Sequence, residues 1–136
     1  MAAEVAVAGR EALLAAAAGI ARGDRKNLLF GASGERLVGE DVAGHLEAAL
    51  ALMESRGWPH PTIYDALEES ALDGAGDWDS RCAARDVMEL LIRAQSGASY
   101  ADYEAWNLRR GRRFEDVAAL MLLAAAFARR YVGRGV

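Results

Sequence analysis

The chain has 136 residues, a 53% apolar fraction and a net charge of −4. A chain of that size has room for one core that hides about two-thirds of its unfolded surface, and its apolar fraction excludes a disordered composition. The negative balance argues against a nonspecific coat for nucleic acid or anionic lipid, and the one cysteine, Cys82, excludes an internal disulfide and points to the cytoplasm.

Residues 2–22 are dense in alanine and leucine, with Val5, Ala8, Ala12, Ala16 and Ile20 at helical spacing and Gly23 as a stop, which predicts a first helix. Glu4 precedes any arginine, so the segment lacks the basic start expected of a secretory signal. Leu28–Phe30 and Arg36–Val38 then flank Gly31-Ala32-Ser33-Gly34-Glu35, which fits either a short hairpin or a glycine-rich loop near residues 28–38. Asp41 is expected to cap a second helix whose inner stripe is Val42, Leu46, Ala49 and Met53, widened by Leu50 and Leu52. Gly57 stands where a left-handed residue closes a helix, Trp58 can fold back on the last turn, and Pro59 forbids continuation. His45 lies one position off the stripe and reads as a half-buried surface histidine, while His60, between Pro59 and Pro61, reads as a turn residue.

Thr62 with Asp65 outlines a capping box for a third helix through about Leu72, which Asp73-Gly74-Ala75-Gly76 breaks. Asp77 or Asp79 opens a fourth, with Val87, Leu90, Leu91 and Ala94 facing inward and an end near Ser96-Gly97. Ser99 with Asp102 repeats the capping outline for a short fifth helix through Trp106, and the last helix turns Val117, Leu120, Ala124, Phe127 and Tyr131 inward. Its uncharged run, Val117 to Ala128, is twelve residues long, against the roughly 20 a membrane span needs. The expected fold is therefore all-α: one domain over residues 1–136, a bundle of five to six helices with short connections.

The residues that could carry chemistry are few. His45, His60 and Cys82 are the only imidazole or thiol groups, and no two have the close spacing of a zinc motif, so neither a metal nor another cofactor is expected. No nucleophile signature surrounds Cys82, which is expected to be a buried structural residue. Asp73, Asp77 and Asp79 lack the closing glutamate of a calcium loop, and Gly31–Gly34 lacks the lysine of a phosphate loop. Trp58, Trp78 and Trp106 are either core anchors or, where exposed, interface residues. Arg109, Arg110, Arg112 and Arg113 crowd around Gly111, a chemistry suited to bidentate contact with phosphate. From Arg109 onward, seven arginines stand against Glu115 and Asp116, so the tail carries +5 and the remainder −9.

The run Leu46 to Trp58, followed about fifty residues later by Ala105-Trp106-Asn107 and Gly111-Arg112, resembles a family of small uncharacterised actinobacterial and actinophage proteins, the domain of unknown function 6197. The resemblance spans roughly Asp41 to Ala128 and implies an all-helical fold, a helix ending in Gly-Trp and a central helix carrying a cysteine. Where the family pattern has Asp, Pro and Thr, this chain has Leu108, Arg110 and Arg113, so the arginine density is its own. The expectation is a noncatalytic helical interaction or regulatory protein of an actinobacterium or its phage, with a protein partner or self-association and no membrane. The alternative is nucleic-acid or phosphate binding through the Arg109–Arg113 loop.

Overall fold

The computed structural model describes the backbone of residues 2–136 and the side chains of residues 9–136. Six helices follow in order: α1 (Ala2–Gly23), α2 (Gly39–Arg56), α3 (Ile63–Leu72), α4 (Trp78–Ser96), α5 (Tyr103–Leu108) and α6 (Phe114–Tyr131). The fold is all-α. Helix α4 runs through the centre, touching α1, α2 and α6, while α2 lies along α6 on one side and α3 on the other. One continuous core joins them, with Leu46 and Met53 of α2, Leu67 of α3, Met88 and Leu91 of α4 and Phe127 of α6 fully buried. Among the described residues, no helix is long and apolar enough to cross a membrane.

Local signals explain most of the boundaries. Thr62 accepts a hydrogen bond from the Asp65 N–H at 3.2 Å and starts α3. At α4 the box is complete: Asp77 Oδ1 accepts from the Ser80 N–H at 2.8 Å, and Ser80 Oγ accepts from the Asp77 N–H at 2.9 Å. Asp102, rather than Ser99, caps α5, its Oδ1 accepting from the N–H groups of Glu104 and Ala105.

Three expectations are corrected. Helix α1 buries Leu14, Ala17, Ala18 and Ala21, and leaves Ala12 and Ala16 exposed. Leucine has far more apolar surface than alanine, so the helix rolls to place Leu14 inside; Val5 and Ala8 lie outside the described side chains. Helix α2 begins at Gly39, and Asp41 sits inside its first turn, where its charge faces the positive end of the helix dipole. Gly39 is the reason: its α-carbon lies against the carbonyls of Ala128 and Val132, and a Cβ there would overlap both. Gly57 ends α2 at φ 94° and ψ 169°, outside the left-handed helical region, with its N–H bonded to the Met53 carbonyl.

The segment before α2 is a tight reversal held by a single antiparallel bridge between Phe30 and Arg36. The Leu37 N–H donates to the Leu29 carbonyl at 2.8 Å, and no strand extends beyond it among the described residues. The end of the chain locks onto this reversal. Gly133 N–H donates to the Leu28 carbonyl at 2.7 Å, and the Arg36 guanidinium donates twice to the Gly133 carbonyl, at 3.0 and 2.6 Å.

Candidate functional site

Helix α5 and the loop after it are fixed by two contacts that the Trp-Asn and Gly-Arg residues provide. Asn107 is buried, and its Oδ1 accepts from the Ile63 N–H at 2.6 Å, which both satisfies a free donor at the start of α3 and pins the loop beside it. After the turn at Gly111, Arg112 folds back, donating from Nε to the Trp106 carbonyl at 2.8 Å with its guanidinium 3.8 Å from the centre of the Trp106 ring. Partial burial pushes the Arg112 pKa down, offset by the charge of Asp116.

The four candidate arginines are thus divided. Arg112 is turned inward, whereas Arg109, Arg110 and Arg113 are exposed. Among the described residues, no side-chain carboxylate accepts a hydrogen bond from those three side chains, and the one ion pair is the loose Arg113–Asp116 contact at 3.9 Å. Arg113 is the N-cap of α6 and has no acceptor to offer, so Asp116 reaches back to the Arg113 N–H at 3.1 Å. Further along the basic tail, Arg129 bridges Glu40 and Glu47 across α2, and Arg130 pairs with Glu11 of α1. These carboxylates hold both guanidinium pKa values above the ordinary range.

The three tryptophans also separate. Trp106 is half-buried under Arg112, and Trp58 is half-buried with its ring 6.1 Å from that of Phe114. Trp78 is 62% exposed at the first turn of α4. Arg81, one turn later, places its guanidinium 5.5 Å from the Trp78 ring centre and 4.3 Å from that of Tyr64 on α3. Leu72, at the end of α3, is 84% exposed. Tyr64 and Arg81 are not conspicuous in the sequence; the available signal is the i, i+3 spacing of Trp78 and Arg81, and the placement of Tyr64 and Leu72 off the buried stripe Ile63, Ala66, Leu67 and Ser70.

His45 is fully buried, not half-exposed. Its Nε2–H donates to the Leu67 carbonyl at 2.7 Å, and its Nδ1 accepts from Ser80 Oγ at 2.7 Å. Leu67 O can only accept, which fixes this tautomer. Burial lowers the His45 pKa, opposed by the hydrogen bond to Leu67 and the nearby charge of Asp77. Gly76 lies flat on the pair, where a Cβ would overlap both the imidazole and Ser80 Oγ. A cleft of about 520 Å³, lined in part by Ser80, Gly76, Asp41 and Glu40, opens beside it. The Ser80 hydroxyl already serves the α4 capping box, so the pair works as a buried strut between α2, α3 and α4.

The remaining candidates are structural in placement. Asp79 accepts from the Ser33 N–H at 3.0 Å and from the Ser33 hydroxyl, and these bonds lower its pKa. The acidic loop and the Gly31–Gly34 turn are therefore clasped to each other. Cys82 is half-buried rather than fully buried, because a cleft lined in part by Lys26, Phe30, Gly31 and Leu37 opens beside it, and burial pushes its thiol pKa up. His60 is exposed. Among the described residues, no three His, Cys, Asp or Glu side chains are placed to hold a metal ion.

Residues 37–127 match the family model described as a family of unknown function, DUF6197. No curated protein and no solved structure matches the chain.

Proposed function

The chain belongs to the DUF6197 family, and from that footing we propose that it is a noncatalytic helical interaction or regulatory protein whose contact surface is the face carrying Tyr64, Leu72 and Trp78. One observation carries this reading: Trp78 stays 62% exposed while Arg81, itself stacked on Tyr64, lies against its ring. Tryptophan, tyrosine and arginine are the residue types that most often dominate binding energy at protein interfaces. A ring that already has one neighbour in the free protein loses less entropy on contact than an unsupported one. The groups that could perform catalysis are meanwhile occupied with one another, as His45 and Ser80 are. An actinobacterial or phage origin is what the family resemblance implies, and a lone cysteine suits the reducing cytoplasm.

The test is a photo-crosslinking residue placed at Leu72 in the producing cell, with a second at the exposed Ala15 of α1 as control. A discrete adduct at position 72 that disappears with Trp78→Ala is expected. A turnover abolished by alanine at a residue outside the packed scaffold would sink the noncatalytic reading. Trp78→Ala is expected to leave stability within about 0.5 kcal/mol of the parent, as for other exposed side chains.

A second reading, phosphate or nucleic-acid binding by Arg109, Arg110 and Arg113, is favoured by their exposure without a hydrogen-bonded carboxylate among the described residues. It requires a mobility shift of duplex or single-stranded nucleic acid at about 50 mM salt, with a salt dependence made shallower by Arg109→Ala and Arg110→Ala. No shift at that salt removes it.

A further inference from the structure

We infer that the occupant of the Tyr64–Leu72–Trp78 face is a second copy of this chain, which presents its Leu108–Arg113 loop; this rests on the interaction reading above. On α3, Tyr64, Glu68 and Leu72 follow at four-residue intervals and share one outward face. Asp65, Glu68 and Asp73, beside or between these apolar groups, are exposed and make no ion pair within 4.0 Å among the described residues. The face is therefore an apolar row that holds one cation, Arg81, between Tyr64 and Trp78, with the three carboxylates as a negative rim. The loop has the opposite character: Leu108 is 68% exposed and is followed by Arg109 and Arg110, which make no ion pair among the described residues, and by Arg113, held only by its loose contact with Asp116.

Elsewhere on this surface, charges with a neighbour of opposite sign use it: Arg56 meets Glu69, Arg93 meets Asp24, and Arg129 meets Glu40 and Glu47. The α3 carboxylates and the loop arginines do not meet within one chain. The Asn107–Ile63 bond and the Arg112–Trp106 fold-back hold the loop beside the first turn of α3 without laying it across the face. Two adjoining patches of opposite character are self-complementary under a two-fold axis, because each copy's loop meets the other's face and every contact is made twice. Leu108 supplies an apolar anchor for Leu72 and Trp78, and the arginines supply charge complementarity that steers and orients the pair. Contacts between exposed charges are screened, so the dimer weakens with salt.

Sedimentation of the full chain across the micromolar range tests this. A monomer–dimer equilibrium is expected that shifts toward monomer by tenfold or more in the Asp65→Lys/Glu68→Lys variant, and equally in the Arg109→Glu/Arg110→Glu variant. Combining all four substitutions leaves the net charge at −4 and is expected to recover most of the association. Trp78→Ala, which keeps every charge, is expected to weaken it as well. A chain that stays monomeric, or a dimer indifferent to both reversals, overturns the inference. If the chain is monomeric and the Leu72 crosslink still captures another protein, the interaction reading stands without self-association; if position 72 captures nothing, neither stands.

Discussion

His45 shows how much one buried side chain can decide. Both ring nitrogens have protein partners, on α3 and α4, and the ring is closed off by Gly76. Its pKa is lowered by burial, against the favourable charge of Asp77 and with the unfavourable charge of Arg81. Above the ordinary value of 6.5 the ring is neutral in both folded and unfolded chains. As pH falls below that value the unfolded chain takes up a proton that the folded chain resists, so stability drops until the folded pKa is passed. Urea melts are expected to be level in this respect above pH 6.5 and to weaken below it. His45→Gln removes that component, so a parent and variant with the same slope between mildly acidic and neutral pH would contradict the assignment. His45→Ala leaves a cavity and two unpaired groups, and is expected to cost about 2–4 kcal/mol.

At the level of elements, what is written locally was legible and what depends on a neighbouring helix was not. Thr62 with Asp65, Asp77 at the head of α4 and Gly97 at its end announce their boundaries because the capping atoms are within a few residues of one another. The stripes of α2, α4 and α6 were legible because large apolar residues mark them. The roll of α1 was not, since alanines surround the helix and only packing against α4 and α6 selects the face with Leu14. The start of α2 is hidden for a similar reason, because the closeness of Gly39 to the end of α6 leaves no mark in the residues around it. Gly39→Ala would push α2 off the end of α6 and is expected to cost about 1–3 kcal/mol, as other overpacked substitutions do; a denaturation midpoint equal to the parent's would show that this approach is slack. For the candidate surface, the arginines and tryptophans were identifiable as residue types. Their division into inward Arg112 and outward Arg109, and into Trp106 and Trp78, depends on the fold-back at Gly111 and on the approach of Tyr64 of α3 to Arg81 of α4.

Across the whole molecule, the electrical polarity of the sequence is in part internal bonding. Arg129 and Arg130 of the +5 tail reach back to Glu40, Glu47 and Glu11, while Arg109 and Arg110 of the loop before α6, and Arg134 after it, are exposed and make no ion pair among the described residues. The end of the chain is similarly tied in: Val132 is buried, and Gly133 bonds both Leu28 and Arg36. Removing residues 132–136 is expected to expose Leu28 and Leu37 and to speed amide exchange across 28–37 by at least tenfold while α3 to α5 stay protected; unchanged exchange there would show that the reversal holds itself. The unequal settings of the three indoles have a further use. Trp106 lies under a cation and Trp58 against Phe114, while Trp78 is open to water. Iodide should therefore quench the Trp78 emission first, and anything that settles over that ring should shift it to the blue and shield it, so the protein carries its own optical label on the proposed contact face.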